Sequence, residues 1–438
     1  MPKPRPPAPH THTDAPPQFG RVIPLQDVQP GNFTVQVLNG NILHHLQKRH
    51  DIFKAMRETL ESMLGMENNS AACDQEYVNR FRLPCKPVLG GITVRGGKTV
   101  TLVNMVASGV EGEGWLVLAR DVHRAPGPPG ALQTESAKYY AFAKYMPLPL
   151  EDRSQRKQMD LVNTAYNEVQ IRRRLHVAAL RGVPHMPMFY GALIVPRDQG
   201  PAFTGEHLTK YNSASDRLLL FVERAEQTLL DFLLAQIQSL NTQQIQALFM
   251  QGLVAIHIFQ RLMHQGSTMN IHGDTHIGNF LTVTTPRSTP ILYKLSEGDI
   301  LIPNFGTHVI INDFGHLCVP HSTRKPGPWM MDYYVYWKSW GKFERSLEKS
   351  GKTDQVEKLQ ATLAPIREAM ERRIVVRDDT DRYLQRHVIE PVAFPTTTEL
   401  LHEVATICGF HEGTLAENAA APVLVGQTVI DRATRAAK

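Results

Sequence analysis

The stretch Ile271–Val283 reads IHGDTHIGNFLTV. Gly273 and Gly278 punctuate it and the apolar run Phe280–Val283 follows, so the segment predicts a tight loop feeding a strand. Within it Asp274 and Asn279 stand five residues apart. A carboxylate and an amide so spaced suit phosphoryl transfer: one accepts the proton of an attacking hydroxyl, the other ligates Mg2+. Further along, Val309–Gly315 (VIINDFG) is a short apolar strand ending in Asp313-Phe314-Gly315. An aspartate at such a strand end can hold the metal that bridges the β- and γ-phosphates of a nucleotide.

That pair of elements predicts further parts upstream. Tyr139–Tyr145 (YYAFAKY) places Lys144 on a strand, where it can reach the α- and β-phosphates. Leu161–Leu175 (LVNTAYNEVQIRRRL) has a helical pattern, and Glu168 shares a face with Ala165, Ile171 and Leu175, so it is the carboxylate expected to pair with Lys144. Glu151, just before that helix, is the weaker alternative. Ser108–Arg120 (SGVEGEGWLVLAR) is the candidate phosphate-covering turn. Gly109 and Gly114 take its first and third glycine positions, while Glu111 fills the middle one and Gly112 comes one place late. An acid in the middle position should repel nucleotide unless Gly112 takes over through a different turn. Leu218–Glu226 (LLLFVERAE) is a buried strand running into a polar segment, and the resemblance described below implies that backbone groups near Glu223 and Ala225 are the candidates for adenine. Gln246–His264 is an amphipathic helix with Phe249, Leu253, Ile256, Phe259 and Leu262 as its stripe.

Over roughly residues 87–410 the sequence resembles the eukaryotic-type protein kinase superfamily, with Lys144, Glu168, Asp274, Asn279 and Asp313 in the family's order. Within it the chain is similar to kinases encoded by large DNA viruses, which often carry H-x-D-x-H in this loop and a β-rich insert before D-F-G, here Tyr293–Thr307. The resemblance implies an α+β, bilobal protein-kinase-like fold with a β-rich N-lobe, a mostly helical C-lobe and an N-terminal extension. It implies ATP and Mg2+ as cofactors and transfer of the γ-phosphoryl to Ser/Thr hydroxyls of protein substrates. Asp274 would be the base, Lys144 and Glu168 the phosphate-positioning pair, and Asn279 and Asp313 the metal ligands. Asp332, in MMDYYVYW, resembles the buried aspartate that pins the loop backbone, and His272 is expected to pack there. No A-P-E follows Asp313, and glycine stands at 273 where regulated kinases place arginine, so activity independent of activation-loop phosphorylation is expected. Small-molecule kinases acting on antibiotics or choline share H-G-D-x-H-x-G-N, and His276 stands where Ser/Thr kinases usually carry lysine. A small-molecule phosphotransferase, or a pseudokinase scaffold with an irregular turn, therefore remains the alternative.

The whole chain has 438 residues, 42% of them hydrophobic and 20% charged, enough for a sizeable core and against wholesale disorder. A net charge of +5, from 47 basic and 42 acidic residues, is too weak to point to a nucleic-acid or membrane partner. Expected divisions are a Pro-rich tail over 1–20, a partly helical extension over 21–86 (helical spacing over Asn41–Met66), an N-lobe over 87–222, a hinge and C-lobe over 223–410, and a tail over 411–438. The first twenty residues hold seven prolines and no apolar core, unlike a secretory signal. No apolar run approaches the ~18 residues of a membrane span. The expected location is intracellular, host cytoplasm or nucleus if viral. Cys73, Cys85, Cys318 and Cys408 form no C-x-x-C pair and are expected to be buried free thiols. Gly97-Lys98-Thr99 resembles the end of a P-loop, but Ile92 stands where that motif needs glycine, so a hairpin turn is expected there. Oligomeric state is not encoded in any of these features.

Overall fold

The structure, a computed structural model, describes residues 34–37, 49, 52–53, 56, 72–88, 92–93, 98–123, 134–149, 156–180, 183–263, 271–285, 291–295, 298–303, 305–316, 330–373, 376–377, 388–389, 394–410 and 423–424. The expected tail over 1–20, Glu151, Cys318 and the turn residues Gly96 and Gly97 lie outside them. Of the helical pattern over Asn41–Met66, Arg49, Ile52, Phe53 and Met56 are described, all in helical conformation.

The first elements are β1 (Thr34–Val37) and α1 (Gln75–Phe81). The Asp74 side chain accepts from the Glu76 N–H at the start of α1, and Arg82, in the left-handed region at φ 51°, ends it. The main sheet follows: β2 (Ile92–Thr93), β3 (Lys98–Ser108), β4 (Glu113–His123), β5 (Thr134–Pro149), β6 (Phe189–Val195) and β7 (Ser215–Val222), in the order β2-β3-β4-β5-β7-β6. Every neighbouring pair is antiparallel. Helix α2 (Arg156–Leu180) connects β5 to β6. Strand β7, buried at every position, is covered on both faces, as its continuous apolar run dictates. Along β5, Ala141, Ala143 and Tyr145 are buried on one face, and the period of two puts Phe142 and Lys144 on the other. Val162, Ala165 and Val169 of α2 pack with Met146, Leu218 and Leu220 of the sheet in one apolar cluster.

A largely helical region succeeds the sheet. It contains β8 (Gln227–Thr228), α3 (Leu229–Gln236), α4 (Thr242–Met263), β9 (Phe280–Thr284), β10 (Ile291–Leu295), β11 (Gly298–Ile302), β12 (Thr307–Ile311), α5 (Met330–Lys349), α6 (Thr353–Arg373), β13 (Val376–Arg377), β14 (Val388–Ile389), α7 (Phe394–Ile407) and β15 (Val423–Leu424). Thr228 starts α3 as its N-cap, its hydroxyl oxygen accepting from the Asp231 N–H at 3.1 Å. Helix α4 is the axis of this region. It is long and apolar enough to cross a bilayer, against the sequence expectation that no segment is, but its apolar surface is buried in the core. A Cβ at Gly252 of α4 would lie 2.1 Å from the Tyr336 hydroxyl, so glycine there lets α4 and α5 approach.

Strands β12, β9 and β8 form a small sheet in that order. The expected β-rich insert is the β10–β11 hairpin, and it does not stand alone. Its β10 pairs with β1, and β1 pairs with β15, giving the order β11-β10-β1-β15.

One expectation is corrected. Cys73 and Cys85 are not free thiols but form a disulfide, with Cα atoms 6.1 Å apart across 12 residues of sequence. The reason is tertiary: Cys85 bridges to Ile194 of β6, while Cys73 lies just before α1, which folds back over the same sheet edge. Sequence spacing carries no record of that return. Cys408 is free and buried, as expected.

Candidate functional site

Lys144 gathers the expected residues around one ammonium. Its Nζ lies 2.7 Å from Glu168 Oε1 of α2 and 2.6 Å from Asp313 Oδ1 beyond the end of β12. Glu168 is fully buried, and its other oxygen accepts from Arg172 Nε at 2.7 Å, one helical turn on. Its Oε1 also accepts the Phe314 N–H at 3.2 Å, so the carboxylate serves strand β5, helix α2 and the segment after β12 together. Burial disfavours the Lys144 cation, yet the charges of Glu168, Asp313 and Glu111 outweigh it and raise its pKa. Burial would likewise raise Asp313, but the charge of Lys144 prevails and holds it below the usual carboxylate range.

Asp313 has φ 62°, in the left-handed region, which aspartate tolerates better than most residues. The next residue anchors this bend. The Phe314 ring stacks on Phe259 of α4 at 5.7 Å and lies under the Arg172 guanidinium at 5.0 Å.

The 271–279 loop hangs from Asp332 of α5. Its two carboxylate oxygens accept the His272 and Gly273 N–H groups, each at 2.9 Å. His272 is buried, with Nε2 2.9 Å from the Asn312 carbonyl, which is a packing and bonding role. Asn279 Nδ2 donates to the Asp274 carbonyl at 2.8 Å and to Asp274 Oδ2 at 3.0 Å. His276 Nδ1 accepts the Gly278 N–H at 3.1 Å, so the ring proton sits on Nε2, which faces Asp274 Oδ2 at 3.5 Å. Two donors thus occupy Oδ2, and Oδ1 carries no hydrogen bond among the described residues. Burial would raise Asp274, but its bond to His276 and the nearby charges lower it, so it is ionised at neutral pH.

Strands β3 and β4 meet in the turn Gly109–Gly112, closed by the Gly109 N–H donating to the Gly112 carbonyl at 2.9 Å. A Cβ at Gly112 would lie 2.5 Å from the Tyr145 carbonyl, and one at Gly114 would lie 2.4 Å from the Phe142 ring. Packing on β5 therefore already requires both glycines. Glu111 reaches inward from the turn, with Oε2 3.5 Å from Lys144 Nζ and Oε1 3.0 Å from His316 Nε2. Burial would raise Glu111, but the His316 hydrogen bond and the Lys144 charge lower it.

The adenine candidates follow directly on the end of β7. The Glu223 N–H donates to the Met188 carbonyl at 2.9 Å. Its side chain turns away, forming a buried bidentate pair with Arg49. Ala225 is half-buried and makes no hydrogen bond among the described residues. Sequence reasoning passed over Arg49, Glu113, Arg172 and His316. Arg172 carried a signal, four residues after Glu168; the others are matched only in space.

Asn279 Oδ1 accepts no bond among the described residues, and Asp313 offers a carboxylate nearby in the chain path, since the Asn312 N–H donates to the Asn279 carbonyl at 2.9 Å. A carboxylate and an amide oxygen are hard ligands of the kind Mg2+ takes when phosphates complete its shell. Neither a scan against protein-family models nor a search of the curated proteins finds a match for this chain.

The His316–Glu111 contact ties the turn to the segment after Gly315, and its strength depends on pH. The hydrogen bond to Glu111 raises His316, with burial opposing and the charges of Glu111, Asp274 and Asp313 adding. A raised histidine pKa means the stabilisation from this contact is fully present below about 6.5, the ordinary value, and is lost as pH rises through the elevated one. Glu111→Gln should lower the midpoint of the His316 imidazole NMR titration toward that ordinary value, with the charges of Asp274 and Asp313 still favouring the cation.

Proposed function

We propose that the chain is an ATP-dependent protein kinase with a bilobal kinase-like fold, transferring the γ-phosphoryl group to Ser/Thr hydroxyls of protein substrates. The observation that carries this is Lys144, whose ammonium joins Glu168 from α2 to Asp313 after β12, beside a loop that presents Asp274 and Asn279. The antiparallel sheet with α2 inserted before its last two strands, followed by a helical region around α4, supports the same reading.

In this reading Lys144 positions the α- and β-phosphates and Glu168 holds it there. Asp274 turns its unbonded Oδ1 to the acceptor hydroxyl and takes its proton as the oxygen attacks the γ-phosphorus, the bond from that phosphorus to the β,γ-bridging oxygen breaks, and ADP leaves. Asn279 Oδ1 and Asp313 would hold Mg2+, which when bound neutralises phosphate charge. Catalysis of this kind is mostly positioning and electrostatics. Backbone groups between Glu223 and Ala225 would meet the adenine, and Gly109, Gly112 and Gly114 shape the turn above the phosphates.

Glu111 on Lys144 favours a second reading, a scaffold whose turn fills the phosphate position with its own carboxylate. Incubation with Mg-ATP and either generic protein substrates or small alcohols separates the cases. Transfer to protein by the wild type, lost in Asp313→Ala, supports the proposal; transfer only to small alcohols makes the chain a small-molecule phosphotransferase. No transfer, with no Mg-ATP binding even by Glu111→Gln, supports the scaffold.

A further inference from the structure

We infer that Glu113 is a positioning residue that fastens the Gly109–Gly112 turn to a strap made by the β6–β7 connection, an inference that rests on the kinase reading for its consequence in nucleotide binding. Glu113 is completely buried directly after the turn. No cation among the described residues pairs with it. Instead its Oε1 accepts the Thr204 N–H at 2.6 Å, the Gly205 N–H at 2.8 Å and the Thr204 hydroxyl at 3.1 Å, while Oε2 accepts Trp115 Nε1 at 3.3 Å. Four donors, three of them from one loop, are what a buried carboxylate needs to remain inside without a counter-ion.

The strap is itself stiff. Asn212 closes it by accepting the Phe203 N–H at 2.6 Å and donating to the Phe203 carbonyl at 2.9 Å. Arg217 Nη2 holds the Asn212 carbonyl at 2.7 Å from β7. The Tyr145 hydroxyl donates to the Pro201 carbonyl at 3.1 Å, and the Tyr145 and Phe203 rings lie 5.0 Å apart. Tyr145 is the residue after Lys144. The strap therefore touches the lysine strand on one side and the turn on the other. At the turn it comes so close that a Cβ on Gly205 would lie 2.1 Å from Ser108 Oγ.

A hairpin turn over a cleft ordinarily has to be ordered by its ligand, at an entropic cost. Here the strap sets the height of the turn above Lys144 before any nucleotide arrives. Glu113 acts through backbone position and does not itself reach the cleft.

The test compares wild type, Glu113→Ala, Glu113→Gln and Gly205→Val. Glutamine keeps an acceptor oxygen for the strap amides, alanine keeps none, and valine wedges the strap off Ser108 with Glu113 intact. Glu113→Ala and Gly205→Val should raise the KM for ATP about tenfold, the scale of one lost loop-ordering contribution, with kcat within about threefold. Both should also speed amide hydrogen exchange at residues 109–112, and Glu113→Gln should stay near wild type in both measures. The inference is overturned if Glu113→Ala leaves the exchange of those amides at its wild-type rate. It is equally overturned if KM rises while kcat and melting temperature fall in Glu113→Gln as much as in Glu113→Ala, which is the mark of a merely structural residue. Absence of any Mg-ATP binding by the wild type would instead sink the kinase reading, and the exchange measurement would still decide whether Glu113 fastens the turn.

Discussion

Asp274→Asn is expected to lower turnover by about 10²–10⁴-fold, the range associated with losing a positioned general base, while leaving the unfolding midpoint unchanged. The fold should tolerate it because the side chain is 36% exposed and accepts bonds without holding any element in place. The chemistry should not. Oδ2 of Asp274 already faces two donors, Asn279 Nδ2 at 3.0 Å and His276 Nε2 at 3.5 Å. An asparagine must turn its one carbonyl oxygen toward those donors. Its NH2 group then points where the acceptor hydroxyl has to deliver a proton, so a donor replaces the acceptor at the decisive position. Lys144→Met is a poorer probe, since it would strand Glu168, Asp313 and Glu111 around an apolar side chain and disturb the fold together with the chemistry. Phosphate incorporation and a thermal melt on the same preparation check the result, and equal turnover in Asp274→Asn and wild type would remove the proposed mechanism.

Arg49→Met should destabilise the protein by about 3–5 kcal/mol, the range for removing one partner of a buried ion pair. Arg49 and Glu223 are 4% and 9% exposed, and the guanidinium meets both carboxylate oxygens at 2.5 Å. Arg49 Nη2 also donates to the Met186 carbonyl at 2.8 Å, and Glu223 Oε2 accepts the Met188 N–H at 3.1 Å. Burial opposes the Arg49 charge, but Glu223 more than compensates and raises its pKa. Without the arginine, the Glu223 carboxyl is left in the interior at the end of β7 without its partner. Adding Glu223→Gln removes that carboxyl while keeping an acceptor for Met188, so the double variant should recover most of the loss. Urea unfolding of the three variants measures it. A change under about 0.5 kcal/mol in Arg49→Met would mean the pair carries no net stability, as exposed pairs often do not.

How much of this was legible in the sequence depended on distance along the chain. Asp274 and Asn279 were readable because one loop holds both, and two glycines marked it as a loop. Lys144 was readable because the strand Tyr139–Tyr145 resembles the lysine strand of the kinase family. Glu168 followed from helical periodicity, and Asp332 from the resemblance of MMDYYVYW to the family's loop-pinning aspartate. Arg49 and Glu223, by contrast, lie 174 residues apart, and nothing local in either segment demands the other. Cys73 and Cys85 are close in sequence, yet their bond depends on α1 returning along the edge of β6. Gly112 and Gly114 taught a different lesson. Their pattern suggests room for phosphate, but the backbone and ring of β5 already forbid a side chain there, so the motif alone could not say which constraint selected them.

The small sheet β11-β10-β1-β15 bears on how the protein can be cut or tagged. Gln36 and Val37 pair with Leu424 and Val423, so segments near both ends of the chain are stitched side by side onto the hairpin before β12. Expressing only residues 87–410 would strip β10 of its neighbour and leave an open hydrogen-bonding edge, a template for aggregation. The same cut would discard Arg49 with its partner Glu223 left behind, and would remove both cysteines of the disulfide. Recombinant work is better served by keeping the flanking segments, with affinity tags separated by flexible linkers so that they do not compete for that edge.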